Sequence, residues 1–597
     1  MNSWQKVKKR GSKKDKYVDT EIDGTFIMST NGFAFIKDTN NPEIREVFIS
    51  KSLTEYAING DLVKVLITDK GVKGYDGKVI SVIKRKYNKL YAIINHTFKG
   101  NFILYSPILG RSKSIYCTPY SNECLVEVGD RVNVEILNWG TCNHDIHGKI
   151  LENFGNINDI SKDTESILAE NNILINQYNL DFVNNNEDYN NLEDLYTYSI
   201  KNRNILYSLY KEGTIYNLFV HLPDITEISN IKEIFKQFKF LHRNINFINT
   251  HISLIPDEII DKYSFKENIL KKAITLKYSI DENDYEIINI NIFNSRIKQN
   301  IHFNNLDEIV DKDFDNFLNL LNNINTKYNK QNSPNILHLS KPIFEYDDKK
   351  LNFSYDNQNN LEIFNLILQY FACLNFRNSN LFYAEKMLIP IFPKKKIDDI
   401  YNKNIFEMLD NDNTTLNYED DILINFNKYK NLYYSQTRNK KKDIFNYLPI
   451  FNPLENFLCL YNLNQLVSKK QIELENQENI IFRVNKNEKL LSKIENDYIN
   501  LQKIRYFNYL YENNSNKYNI VITKIKPYAL FFIHKDTLYE DSIHVSNLGG
   551  KRYTYNTNEN TLISLDGNHK FELNKELELK IDKIDIVKNE IKWIYSI

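Results

Sequence analysis

TYSIKNRNILYSLYKEGTIYNLFVHLPDIT, residues 197–226, decides how the rest of the chain is read. Its second half alternates from Tyr216 and breaks at Pro223 and Asp224, the pattern of a strand emerging into a loop. In a large enzyme such an exit is where acidic metal ligands are expected. Yet Thr197–Leu209 contains no Asp or Glu at all. Shorter β-rich regions flank the stretch on both sides.

A chain of 597 residues holds three to five domains and at least one large core. With 42% hydrophobic and 26% charged residues it is globular. The 40 Tyr and 35 Phe, beside only 17 Gly and 12 Pro, carry the signature of an AT-rich genome. Asn-rich runs are therefore weak loop signals, and surface aromatics are weak binding signals. A net charge of −1 gives no global field for a polyanion, so any RNA-binding surface has to be local. The five cysteines, Cys117, Cys124, Cys142, Cys373 and Cys459, form no CxxC pair and read as reduced thiols. The start, MNSWQKVKKRGSKKDK, lacks the apolar core of a signal peptide. No run is apolar enough over about 20 residues to span a bilayer. The expected location is cytoplasmic.

Residues 1–20 are a basic arm that includes Lys8, Lys9 and Arg10. It suits either a polyanion or a solvated tail. Residues 21–85 read as a small β-barrel, with turn signals at Asn31-Gly32 and Asp76-Gly77. Phe33, Phe35 and Phe48 fall on adjacent expected strands, and residues i and i+2 share a face. They form either a stacking platform for bases or part of the barrel core. Residues 86–155 repeat the pattern, with VGDRV at Gly129-Asp130 paralleling NGDLV at Gly60-Asp61. Residues 156–195 are a polar, helical linker, and 196–515 form a large central domain with mixed strands first and helices after Asn305. Residues 516–597 read as a last barrel, on which Tyr528, Phe531 and His544 make a second aromatic face or pack inside. The expected class is a multidomain α+β chain: two N-terminal OB barrels, a mixed α/β centre and a C-terminal OB barrel.

This order of parts resembles the RNase II / RNase R family of processive 3′-to-5′ exoribonucleases. GFAFI with VFIS is similar to the aromatic strands of the family's cold-shock-like barrels. LFVHLPDIT at 218–226, SLIPDEI at 253–259 and FNSRIKQNIHFNNLDEIV at 293–310 are similar to segments of its catalytic domain, often called RNB. YALFFI with SIHVSNL resembles the core of its S1-like barrel. The resemblance implies a fold of two cold-shock-like barrels, an RNB-like centre and an S1-like RNA-binding barrel.

The family's hydrolysis rests on four aspartates that hold divalent metal, because Mg²⁺ needs hard oxygen ligands. By the resemblance those positions here are Ser199, Ile205, Tyr207 and Ser208, and none is a carboxylate. Two phosphate-gripping arginines of the family fall at Glu455 and Asn456, so a charge is reversed where phosphate would lie. The family's base-clamping tyrosine falls at Asn246 or Phe247. Losses in two separated motifs fit relaxed selection on catalysis. Asp311, Asp313 and Asp315 do not replace the cluster, since helical spacing spreads them around an axis.

The expected function is therefore RNA binding, to single-stranded or structured RNA or a ribonucleoprotein, by a fold that has lost its nuclease activity and holds no cofactor. One alternative is an active Mg²⁺-dependent exoribonuclease releasing nucleoside monophosphates. Another is a protein-interaction scaffold.

Overall fold

The computed structural model describes residues 16–595 except the runs 30–32, 39–43, 72–73, 111–112, 120–123, 141–144, 174–187, 227–240 (Ile234 apart), 248–249, 307–311, 332–341, 348–349, 356–358, 377–383, 391–428, 436–445, 469–476 and 514–516, and single residues between them. Lys8, Lys9, Arg10 and the Asn31-Gly32 turn lie outside the described residues. The chain divides into two compact units. One comprises residues 1–174 with 585–590; the other comprises 175–584 with 591–597.

The first unit contains two closed barrels. In the first, β1 (Glu21–Met28), β2 (Ala34–Asp38), β3 (Val47–Ile49), β4 (Leu62–Gly71) and β5 (Gly74–Lys84) close in the order β1-β2-β3-β5-β4. Alternation decides what lies inside: Phe26, Ala34, Ile36, Val47, Ile49, Val63 and Val65 are buried. Gly24 and Gly77 allow close strand approach, since a Cβ on either would meet a neighbouring backbone oxygen within 3 Å. In the second barrel, β6 (Lys89–Phe98), β7 (Asn101–Tyr105), β8 (Ser114–Cys117), β9 (Asp130–Asn138) and β10 (Ile146–Asn156) close in the order β10-β8-β7-β6-β9.

The repeated Gly-Asp turns are repeated in three dimensions. Gly60 and Gly129 adopt φ of 94° and 93°, a region open to glycine. Their amides donate to Phe26 O and Ile94 O, both at 2.7 Å. The following Asp61 and Asp130 turn their carboxylates back on the same loop, accepting from Ile58 N at 3.0 Å and Glu127 N at 2.9 Å. Beyond the second barrel, α1 (Asp163–Glu170) is anchored by Arg131. That side chain is 1% exposed, meets Asp163 at 2.7 Å, and donates to the carbonyls of Asn156 and Asp159.

The second unit is built on a seven-stranded sheet. Its strands are β11 (Asn190–Asn191), β12 (Tyr198–Ile200), β13 (Leu206–Glu212), β14 (Ile215–Pro223), β17 (Leu270–Asp281), β18 (Ile287–Lys298) and β19 (Ile301–Phe303). Their order is β11-β18-β17-β14-β13-β12-β19. A hairpin of β15 (Ile245–Asn246) and β16 (His251–Ile252) and a short helix, α2 (Asp257–Tyr263), interrupt the sequence of sheet strands. The alternating run from Tyr216 is the centre of β14, buried along most of its length. One sheet face packs Leu218, Val220, Leu222, Ile274, Leu276 and Tyr278 against α3 (Lys312–Gln331), α4 (Asn359–Phe376) and α5 (Phe457–Ser468). Smaller sheets join β20 (Pro342–Asp347) to β21 (Lys350–Tyr355), and β22 (Ala384–Pro390) to β23 (Tyr429–Ser435) and β24 (Asn446–Tyr447). A long helix, α6 (Gln477–Glu512), follows.

The C-terminal region corrects the sequence reading: it is not a closed barrel. The strands β25 (Tyr518–Lys526), β26 (Ala529–His534), β27 (Glu540–His544), β31 (Glu576–Asp585) and β32 (Glu590–Ile594) form an open sheet in the order β27-β26-β25-β31-β32. A separate sheet is made by β28 (Tyr553–Asn556), β29 (Thr561–Ser564) and β30 (Lys570–Phe571). The break has a local cause. After β27 the chain enters a 3₁₀ turn at Val545–Asn547, then two left-handed glycines, Gly549 and Gly550, at φ 69° and 71°. This geometry takes the backbone out of the ladder before closure. The open sheet is held by packing: Trp593 is 1% exposed and meets Phe507 of α6, Tyr518 and Phe532 edge-on at 5.4–5.6 Å.

Candidate nucleic-acid interface

The first barrel turns three phenylalanines outward. Ala34, Ile36, Val47 and Ile49 point in, so Phe35 and Phe48 point out, and Phe33 sits at the strand start beside them. The rings touch one another, Phe33–Phe35 at 5.8 Å, Phe33–Phe48 at 5.6 Å and Phe35–Phe48 at 5.8 Å. Phe35 is 36% exposed. Across the strands it stands opposite both Phe48 and the exposed Ile27. Ile27 was not singled out from sequence, although its place in the alternation of β1 marks it as outward. The barrel core is therefore complete without these rings, and their outer faces make an apolar row of the kind on which bases stack.

On the C-terminal sheet, Tyr528 is 56% exposed in the β25–β26 turn. Phe531 is half-buried, with Lys524 Nζ over its ring at 5.6 Å. His544 is exposed, and its Nδ1 meets Ser546 Oγ at 2.8 Å. Its backbone pairs with Ala529, which puts His544 and Phe531 on one face.

The four positions matched to metal ligands lie in packed core. Ser199 is fully buried, its Oγ 2.7 Å from His302 Nδ1 and accepting from Gln299 Nε2 at 3.1 Å. Ile205 belongs to the helix-side core. Tyr207 is 1% exposed, stacks on Tyr198 at 6.2 Å, meets Phe317 at 5.4 Å and donates to Asn365 Oδ1 at 2.8 Å. Ser208 Oγ lies 3.0 Å from His221 Nε2. The chain of hydroxyls continues from His221 Nδ1 to Thr275 Oγ1 at 2.8 Å and on to Ser295 Oγ at 2.6 Å.

Strand alternation sends Tyr207 and Ser208 to opposite faces of the sheet, one into the aromatic cluster and one into this hydroxyl–imidazole row. Both nitrogens of His221 are thus engaged. These donors do not fit a divalent hydrolytic metal, which needs carboxylates in convergence. Among the described residues no three His, Cys, Asp or Glu come together. Asp224 is instead taken up in structural hydrogen bonds, accepting from Thr226 Oγ1 of its own loop at 2.6 Å and from Tyr189 Oη, just before β11, at 2.5 Å. Asp315 is exposed on α3, and Asp311 lies outside the described residues.

Burial pushes the His221 imidazole down from 6.5 to about 3. Below about pH 6.5 an unfolded chain takes up a proton there that the folded chain refuses. Stability is therefore lost as pH falls from 6.5 towards 3, by at most about 1.4 kcal/mol per pH unit. The expected result is that the protection factors of β14 amides, taken relative to intrinsic exchange at each pH, fall across this window, and that His221→Gln flattens the dependence. Equal pH slopes in both proteins would contradict the assignment.

The segment matched to phosphate-gripping arginines has also become structural. Asn456 caps α5, its Oδ1 accepting from Leu458 N at 2.9 Å. Glu455 is held by Asn202 at 3.4 Å, and burial raises its pKa above the usual carboxylate range. Asn202 also reaches Asn452 at 3.2 Å. Asn246 is exposed and Phe247 is buried edge-on against Tyr498 at 4.8 Å, so neither stands as an aromatic clamp.

Residues 24–82 match the family model described as the Ribonuclease B OB domain. Over the whole chain, the fold is similar to Mycoplasma genitalium RNase R solved in complex with ribose-methylated single-stranded RNA. The TM-score is 0.78 at 15% identity, covering 96% of this chain and 100% of that one. It is also similar to yeast Ssd1, described as a pseudonuclease, with a TM-score of 0.60 at 12% identity over 91% of this chain and 81% of that one. The chain thus has the RNase R fold, as the order of its sequence segments indicated. It lacks a carboxylate metal cluster among the described residues.

Proposed function

We propose that this chain is an RNA-binding protein of the RNase R fold that does not hydrolyse its ligand. The observation that carries the reading is a contrast within one molecule. The metal positions Ser199, Ile205, Tyr207 and Ser208 are all buried, Ile205 and Tyr207 in the helix-side core and Ser208 against His221 on the other face of the sheet, while the outer aromatic row of Phe33, Phe35 and Phe48 is left free of the barrel core. A row of ring faces takes successive bases with little sequence preference, because every base has a π-face. The ligand is single-stranded RNA, alone or displayed by a ribonucleoprotein, met in the cytoplasm. The basic arm containing Lys8, Lys9 and Arg10 adds phosphate contacts, and Tyr528, Phe531 and His544 a second stacking surface.

Filter binding of a single-stranded RNA in EDTA tests this reading. Affinity that falls as salt rises is expected. Absence of any salt-dependent affinity would refute RNA binding and favour a protein-interaction scaffold.

A further inference from the structure

Within the first unit, cations and aromatic rings meet at a place that the outer aromatic row does not include. Arg85 follows β5, and its guanidinium lies over the Trp139 ring, 4.0 Å from the centroid. Lys113 precedes β8, and its ammonium lies over Tyr56 at 4.3 Å. Next to them, Lys86 covers Tyr87 at 4.8 Å. The nearest buried carboxylate, Asp61, is already committed. It accepts from Ile58 N at 3.0 Å, Arg85 NH1 at 2.8 Å and Lys86 N at 2.9 Å. Arg85 NH1 also donates to Tyr56 O at 2.9 Å. The rest of the guanidinium fork, Nε and NH2, has no acceptor among the described residues, and Lys113 has no ion pair among them.

Two further observations single the place out. Glu55 and Tyr56 are consecutive non-glycine residues in left-handed backbone, at φ 42° and 55°. Such strain persists only where surroundings enforce it, and here it sets Tyr56 beneath Lys113. Lys113 is also held as a cation at a cost. Burial and the like charge of Arg85 bring it down to about 8, against the weaker opposing pull of Glu55 and Asp61. A desolvated ammonium near a guanidinium with unused donors, each cation backed by its own ring, is complementary to a compact anion.

We propose that Arg85, backed by Trp139, and Lys113, backed by Tyr56, form a phosphate site that holds one phosphodiester of a bound single-stranded RNA. The identity of the anion rests on the RNA-binding reading above; the site itself does not. Arg85 holds Asp61 and the strained loop, so Lys113 is the residue to change. Lys113→Met keeps an apolar stem over Tyr56 and removes the charge.

The test uses the full chain, a labelled ten-uridine RNA in EDTA, and inorganic phosphate. Lys113→Met is expected to weaken RNA binding roughly tenfold and to make the log affinity–log salt slope shallower by about 0.7. Lys113→Arg is expected to retain both. Calorimetry at pH 8.5 in two buffers of different ionisation heat should show proton uptake on RNA binding by the native chain, lost in Lys113→Met. Unchanged affinity and slope in Lys113→Met, with Phe35→Ala weakened, would overturn the phosphate site and leave RNA binding standing. Failure of the native chain to bind the RNA would overturn both. Proton-linked binding of inorganic phosphate, with RNA binding indifferent to Lys113→Met, would make this a free-anion site and refute the phosphodiester assignment.

Discussion

Replacing Tyr207 with aspartate is expected to unfold the central sheet, not to rebuild a metal site. The ring is 1% exposed, stacked on Tyr198 and packed against Phe317, so its removal alone costs about 3–5 kcal/mol. The new carboxylate would end well short of Asn365, the partner of the lost hydroxyl, among the aromatic and aliphatic carbon of the core. Burying an unpaired charge adds several kcal/mol. The sum consumes much of the roughly 5–15 kcal/mol that holds a domain together. Because the chain has two units, the readout must be local: amide exchange and protease cleavage within 206–223. Tyr207→Phe is the control, removing only the hydrogen bond to Asn365, at about 1–3 kcal/mol. A folded Tyr207→Asp protein that shortens RNA with Mg²⁺ would show the position to be a dormant metal ligand. Ile205→Asp, in the same core, is expected to unfold the sheet for the same reason. Ser208→Asp is the softer case, since the new carboxylate would meet His221.

Truncating the outer row should sharply weaken RNA affinity and spare the fold. Base–ring stacking is worth about 1–3 kcal/mol per base, so Phe35→Ala is expected to weaken binding by roughly fivefold to a hundredfold. Phe33→Ala/Phe35→Ala/Phe48→Ala should lose more, but less than three times the single effect in free energy. The rings contact one another at 5.6–5.8 Å, and neighbours are not additive. Thermal stability should change little, because Phe26, Ile36, Val47 and Val65 make the core on the opposite side of the strands. Unchanged affinity in a folded triple variant would reduce the row to surface packing.

What the sequence disclosed follows from which signals are local. Alternation placed β14 and put Phe33 and Phe35 on one face of a strand, since a two-residue period needs no distant partner, but it left open whether that face was core or surface. The Gly-Asp turns could be matched because each needs one glycine and one carboxylate within four residues. Loss of carboxylates from Ser199, Ile205, Tyr207 and Ser208 was visible as composition, but their new roles were not. Tyr207 finds Asn365 and Ser199 finds His302, each more than 100 residues away. The open C-terminal sheet was missed for a related reason: strand-like runs were legible, whereas closure depends on pairing. Gly549-Gly550 was the available sign that the ladder breaks after β27. The meeting of Arg85, Lys113, Tyr56 and Trp139 likewise joins residues from four separate segments.

The most direct measurement is incubation of a 5′-labelled single-stranded RNA with the chain in Mg²⁺ or Mn²⁺, run beside binding of the same RNA in EDTA. The expected result is a salt-sensitive complex in EDTA and full-length RNA after incubation with either metal. Metal-dependent shortening from the 3′ end would contradict the account, because it would require carboxylates to converge where Ser199, Ile205, Tyr207 and Ser208 are now buried on both faces of the sheet.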